Sequence, residues 1–199
     1  METPCITDHI TFDSNAFINY ALLFGPVKSY FAEPLHEIIN HCHERGITTG
    51  YFKFIRNQSF CNLAFAVSQF TKDRGVESKY LLMKYCEQGT EHLKKIFLNI
   101  EEFHEIVTDA EIEIARQFFI DHERDITSLL NLQHNKSNIP EDHDLKLLVC
   151  CENSSCDKMF LISDDGHFIG YSDLIPSRYA ISVLPMKDVR INMIAWKWT

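Results

Sequence analysis

The stretch that decides the fold is His9-Ile10-Thr11-Phe12-Asp13-Ser14-Asn15-Ala16-Phe17-Ile18. It starts as an apolar, β-branched run, breaks at an acidic residue and an amide, and becomes apolar again with helical spacing. This order predicts a buried strand that ends at Asp13 and leads directly into a helix. Ligands of open α/β sheets bind where strands end in such turns. The same residues would also cap the helix, so the segment by itself supports a cap and a binding site equally.

The length and composition are those of one globular domain. The chain has 199 residues, of which 45% are hydrophobic, and this is enough for one complete core, so we predict a single domain over residues 1–199. No apolar run is long enough to cross a membrane, and the first residues lack the basic-then-apolar order of a signal peptide. A cytoplasmic location without membrane contact is therefore expected. The seven cysteines form no Cys-x-x-Cys pair, which favours unpaired thiols.

The charge limits the kinds of nucleic-acid binding to be expected. The formal net charge of −9 argues against broad non-specific binding through many phosphate contacts. It leaves open an enzyme whose carboxylates hold cations that meet the phosphate.

The middle of the chain is mostly helical in pattern. A helix over residues 33–42 stops at Gly46, and a short strand over 47–49 completes a β-α-β unit. The aromatic-rich run 52–70 predicts a buried helix, or two helices broken near Asn57. Residues 77–133 predict a nearly all-helical segment, and we interpret the acidic residues there as a solvated helix face.

Two late segments carry acidic residues at the end of a predicted element or at its start, as Asp13 stands at the end of the first strand. Pro140 fits the start of a helix whose first turn holds Asp142 and Asp144. The apolar run 159–162 predicts a buried strand that ends in Ser163-Asp164-Asp165. Because parallel strands end at the same edge of a sheet, we expect these acids to converge with that of the first strand. Hard oxygen ligands of this kind suit Mg²⁺ or Mn²⁺.

These motifs, in this order, resemble the PIN-domain family of metal-dependent ribonucleases. The resemblance rests on a strand ending in Asp-x-Asn, an acid that opens a late helix, and a strand ending in Ser/Thr-x-Asp with Phe168 behind it. It covers both ends of the chain, whereas the middle matches only as helices. It implies a three-layer α/β/α PIN-like fold with a mainly parallel central sheet and a helical insertion in the middle. It also implies hydrolysis of RNA phosphodiester bonds by water activated on one or two divalent cations.

The resemblance also implies roles for single residues. Asp13 would be the central metal ligand, and Asp142 or Asp144 would complete the site together with Asp165, with Asp142 slightly favoured. His143 and His167 lie beside these acids and invite a role in acid–base catalysis. The implied set is catalytic Asp13, Asp142, Asp144 and Asp165, the same four with Asp164 as metal ligands, and substrate-binding Asn15, Ser163, Lys53 and Arg56.

One departure from the family pattern leaves an alternative open. The family usually carries another carboxylate on the helix after the second strand, but this chain has no Asp or Glu between Gly46 and Phe70. The departure and the acidic charge favour a PIN-like module that binds RNA or protein without catalysis, whereas the other acids favour an enzyme. A haloacid-dehalogenase-like phosphatase ranks below both, because its chemistry requires an acid where this chain has Asn15.

RNA is the expected partner, and the sequence raises two further ones. Many PIN relatives are toxins held by an antitoxin, so an antitoxin-like protein is one, although nothing in the sequence identifies it. The tail predicts a final strand over 179–184, followed by an alternation of Ile194, Trp196 and Trp198. This alternation fits burial within the monomer or contact with a second copy in a homodimer.

Overall fold

The computed structural model of the protein describes residues 8–22, 32–72, 75, 78–122, 139–186 and 188–189. The strands are β1 (His9–Phe12), β2 (Thr48–Phe52), β3 (Glu101–Phe103), β4 (Met159–Ile162) and β5 (Ile181–Leu184). The helices are α1 (Ser14–Ala21), α2 (Ala32–Glu44), α3 (Lys53–Lys72), α4 (Lys79–Leu98), α5 (Asp109–Asp121), α6 (Asp142–Glu152), α7 (Gly166–Gly170) and α8 (Ile175–Arg178).

The strands form one parallel sheet in the order β3-β2-β1-β4-β5. β1 and β4 lie near its centre, and their apolar residues are buried because helices cover the sheet. The α/β class and the parallel sheet predicted from the sequence are confirmed.

The helices pack in two groups. α1 contacts α2, α3 and α4, and both α2 and α3 contact β2. In the second group α5 contacts α6, α6 contacts β4 and β5, and the short helices α7 and α8 contact β5. Helices on both faces are what right-handed crossovers between parallel strands produce, and this grouping is compatible with a three-layer arrangement.

Two local predictions need correction, and one open alternative is decided. Residues 78–122 are not nearly all helical, because β3 pairs with β2 there; β3 is a three-residue edge strand whose two acids are exposed, so it has no apolar run to reveal it. Of the two alternatives for the aromatic-rich run, the single helix is confirmed, because α3 is continuous through Asn57. The second strand extends to Phe52, which the sequence pattern assigned to the following helix.

Some predictions lie outside the described residues, namely the segment 123–133 and the Ile194, Trp196 and Trp198 alternation. The predicted last strand is confirmed as β5. Among the helices of the described residues, none has the combination of length and hydrophobicity that crossing a membrane requires.

Candidate functional site

In the sheet formed by the described strands, a topological switch point lies between β1 and β4. The strand order reverses there, and in open α/β sheets the crevice beyond the carboxyl ends of such strands is the usual ligand site. Phe12 and Ile162 are partners in the register, so Asp13 and Ser163 follow at adjacent positions. The Asp13 N–H donates to the Ile162 carbonyl at 3.3 Å. This hydrogen bond joins the ends of β1 and β4 just past their last residue pair.

Asp13 is a buried carboxylate with two separate hydrogen-bond partners. Its Oδ1 accepts from the Ala16 N–H at 2.8 Å and so caps α1. Its Oδ2 accepts from the Ser163 hydroxyl. The pKa of Asp13 is raised to about 7, chiefly by burial, while the hydrogen bonds from Ser163 and Ala16 lower it and the charges of Asp165 and Asp144 add smaller increases. The cap predicted from the sequence is therefore confirmed, while the second oxygen is joined to the end of β4.

Ser163 connects Asp13 to the next acid. Its Oγ accepts the Asp165 N–H at 2.9 Å while its hydroxyl donates to Asp13. Asp165 in turn accepts the backbone N–H of His167 at 2.8 Å and caps α7. A continuous chain of hydrogen bonds therefore runs from the end of β1 to the first turn of α7.

Three ligand-type side chains converge at this point, and we call Asp144, Asp165 and His167 the Asp-Asp-His group. One potential ligand atom from each lies within 4.8 Å of the other two. His167 Nδ1 is 3.4 Å from Asp165 Oδ1 and 3.7 Å from Asp144 Oδ2. Asp144 and His167 are buried, and Asp165 is half-buried. Carboxylates and an imidazole so arranged have the donor types that hold divalent cations in proteins.

A second histidine lies outside the group. His143 Nε2 is 3.2 Å from Asp144 Oδ1 and its Nδ1 is 3.5 Å from Glu141 Oε2, while 41% of its side chain is exposed. The acid–base role that the sequence suggests for His143 stays a prediction.

Asp142 and Asp164 do not join the Asp-Asp-His group. The side chain of Asp142 is 81% exposed and contacts Arg116 of α5. Positions two apart on a helix point about 200° away from each other, so only one acid of the α6 start faces the crevice. Asp164 is exposed and its Oδ1 accepts from the Met186 N–H at 3.1 Å, beyond β5. The slight preference for Asp142 over Asp144 is not supported.

The predicted substrate-binding residues are spread along the same edge. Ser163 lies within the hydrogen-bonded chain, and Asn15 is exposed in the first turn of α1. Lys53 is exposed at the start of α3, where β2 ends. Arg56 Nη1 lies 3.8 Å from Glu102 Oε2. Glu102 belongs to the edge strand β3, which β2 separates from β1 and the switch point.

One acid of the middle segment plays a part that the sequence interpretation missed. Glu105, assigned to a solvated face, is only 25% exposed and lies just past the end of β3. Its Oε1 accepts the Phe54 N–H at 2.7 Å in the first turn of α3, and its Oε2 lies 3.1 Å from Lys146 Nζ of α6. A carboxylate therefore reaches the start of α3 from a neighbouring strand. Only its position two residues past a strand end could have indicated this, and that strand was itself missed.

A cavity of about 390 Å³ lies at the opposite edge of the sheet, lined by residues at the starts of β2 and β3. The cavity is therefore at the amino ends of the strands, whereas the switch-point crevice is at their carboxyl ends. No family model, curated protein or solved structure matches this chain. A functional assignment therefore depends on the geometry and donor types of the site.

Proposed function

We propose that this protein is a divalent-metal-dependent endoribonuclease with a PIN-like three-layer α/β/α fold. The observation that carries the proposal is the convergence of the Asp-Asp-His group on Asp13 at the switch point. These side chains come from three separate segments, namely the end of β1, the start of α6 and the turn after β4. A cap or turn at each segment does not by itself require them to meet. The parallel sheet and the order of the acids along the chain also support it.

In this proposal each residue of the site has its own role. Asp144, Asp165 and His167 would hold the cation, since their ligand atoms face one another. A bound divalent cation supplies a water of lowered pKa and stabilises the charge on the departing oxygen. Ser163 keeps Asp165 in position through its hydrogen bond to the backbone. Asp13 lies behind the group and anchors Ser163, and a bound cation would favour its ionised form. Lys53 at the same edge would contact a phosphate.

The decisive experiment compares two variants of α6. The purified chain is incubated with 5′-labelled single-stranded RNA and MnCl₂ or MgCl₂, and cleavage is followed on a gel. Asp144→Asn should reduce the rate about 100-fold or more because it removes a ligand, as should chelation by EDTA. Asp142→Asn makes the same charge change two residues away, on the exposed side, and should change the rate less than about 2-fold. Equal rates for the native chain and Asp144→Asn would refute the proposal, and so would full activity in Asp13→Asn.

The second candidate is a PIN-like module that binds RNA or a protein without catalysis. The observation in its favour is that α3 has no carboxylate before Phe70, and that Lys53 and Arg56 occupy its first turn instead. The carboxylates near that turn are engaged, Glu105 with Phe54 and Lys146 and Glu102 with Arg56. RNA that is retained in a gel-shift assay but not cleaved with either cation would favour this candidate. The phosphatase alternative remains weaker, because the exposed residue two positions after Asp13 is an amide.

A further inference from the structure

We propose that the His167 imidazole is itself a metal ligand, so that the centre takes a first-row transition ion such as Mn²⁺ in preference to Mg²⁺. The inference rests on the metal centre of the proposed function and specifies the ion. It departs from the all-oxygen site expected from the acidic motifs, because the third converging side chain offers nitrogen.

The distances around His167 are those of a ligand set. At metal–ligand bonds of about 2.1 Å, neighbouring ligand atoms are about 3.0 Å apart in an octahedral shell and about 3.4 Å apart in a tetrahedral one. Nδ1 lies 3.4 Å from Asp165 Oδ1 and 3.7 Å from Asp144 Oδ2. Both His167 separations are within a few tenths of an ångström of the tetrahedral value, and one ligand atom from each of the three residues lies within 4.8 Å of the other two.

The local backbone keeps the ring in this position. His167 is 5% exposed, and its own N–H donates to Asp165, so the two ligands belong to one turn. Phe168, the next residue, is buried in the core and fixes the orientation of that turn. An imidazole held in this way needs little reorganisation to bind an ion.

The donor type then decides between ions. Mg²⁺ is a hard cation that prefers oxygen ligands and keeps much of its water, whereas imidazole binds first-row transition ions well. Replacing an oxygen ligand by the His167 nitrogen therefore weakens Mg²⁺ binding relative to Mn²⁺. The opposing explanation is a protonated His167 that forms ion pairs with Asp144 and Asp165 and leaves no nitrogen for a metal.

Pulsed electron paramagnetic resonance distinguishes the two explanations. The full chain is loaded with one equivalent of MnCl₂, and the electron spin echo is examined for modulation by a bound ¹⁴N nucleus. We expect the modulation in the native chain and in His143→Gln, and its loss in His167→Gln. His143 is the matched control because it also approaches Asp144, but from the exposed side. Absence of Mn²⁺ binding, absence of the modulation in the native chain, or its persistence in His167→Gln would overturn the inference.

A second variant tests the ion preference. His167→Asp restores an all-oxygen donor set, and calorimetric titrations give the affinities for Mn²⁺ and Mg²⁺. The native chain should bind Mn²⁺ at least about 10-fold more tightly, and His167→Asp should reduce that ratio about 10-fold. Circular dichroism verifies that each variant is folded. An unchanged ratio in folded His167→Asp contradicts the inference.

The two proposals can fail separately. A nitrogen signal assigned to His167 without RNA cleavage leaves this inference standing and removes the ribonuclease. Cleavage that requires Asp144 but occurs without a nitrogen signal leaves the ribonuclease and overturns this inference.

Discussion

Asp13 carries the clearest electrostatic penalty of the described acids. It is buried next to Asp144 and Asp165, and its pKa is raised to about 7 from an ordinary value of 3.8, chiefly by burial. Between these two pH values the folded chain holds a proton at Asp13 that the unfolded chain has released. Stability contributed by Asp13 therefore falls as the pH rises from about 4 to 7.

We predict that Asp13→Asn removes this part of the pH dependence. A shift of this size corresponds to about 4 kcal/mol as an upper estimate, at about 1.4 kcal/mol per unit. Urea unfolding of the metal-free chain at pH 4.5, 5.5, 6.5 and 7.5 gives the free energy of unfolding. The variant should gain stability relative to the native chain as the pH rises.

Asp142→Asn is the control for this prediction, since it neutralises an exposed acid and should leave the slope unchanged. A native slope that survives in Asp13→Asn would show that Asp13 is ionised in the folded chain throughout this range.

At the scale of elements, β2 and β3 meet unusually closely at Gly50. A Cβ on Gly50 would lie 2.5 Å from Phe103 Cζ and 2.6 Å from the Glu101 carbonyl oxygen. The strand pair therefore requires glycine for packing. Gly46 differs, because its φ is +70° with open space around the missing Cβ, so only its left-handed conformation favours glycine.

We predict unequal effects for alanine at these two glycines. Gly50→Ala should lower the free energy of unfolding by about 2–3 kcal/mol because backbone atoms of β3 have to move. Gly46→Ala should lower it by about 1 kcal/mol, the strain of a positive φ. Chemical denaturation measures both. Equal losses, or a smaller loss for Gly50→Ala, would mean that the β2–β3 pairing shifts without strain.

The start of α3 depends on a carboxylate from outside the helix. Glu105 accepts the Phe54 N–H and contacts Lys146, whose Nζ also lies 4.3 Å from the centre of the Phe54 ring. This small cluster joins α3, the loop after β3, and α6. It therefore holds the start of α3 beside the edge where the site lies.

We predict that Glu105→Ala lowers the free energy of unfolding by about 1–2 kcal/mol, since it leaves an N–H at the helix start without its acceptor. Glu105→Gln keeps an acceptor and should lose less than about 1 kcal/mol. Urea denaturation gives these values, with the exposed Glu101→Gln as a control that should change little. A neutral Glu105→Ala would show that water replaces the cap.

At the scale of the whole molecule, the acids of the crevice are part of a formal net charge of −9. Like charges in a partly buried site oppose folding unless a cation neutralises them. A cation that binds only the folded chain therefore stabilises it by mass action.

We predict that Mn²⁺ at 100 times its dissociation constant stabilises the chain by about 2.7 kcal/mol. For a protein of this size that raises the melting temperature by roughly 5–10 °C. The rise should vanish in Asp144→Asn and after EDTA, and persist in Asp142→Asn. Thermal unfolding followed by circular dichroism measures it. An equal rise in both variants would place the bound ion elsewhere.

Local pattern was enough for much of the fold. β1 and β4 are largely apolar runs bounded by polar residues, and β5 is a short, mostly apolar run that stops at Pro185, so each could be recognised from its own residues. β3 could not, because an edge strand with two exposed acids becomes a strand only by pairing with β2. The strand-end acids Asp13 and Asp165 were predicted for the same reason that the strands were, since hydrophobic runs show where a strand stops.

The sequence by itself determined an α/β protein with a parallel sheet and acids at the ends of two strands and one helix start. Only the tertiary structure separated Asp144 from Asp142 and Asp165 from Asp164, and placed His167 and Glu105 beside groups from other segments. The physical reason is that residue spacing determines burial within one element. Which side chains meet across elements depends on the rotation of each helix and the register of each strand, and these are decided when the elements pack together.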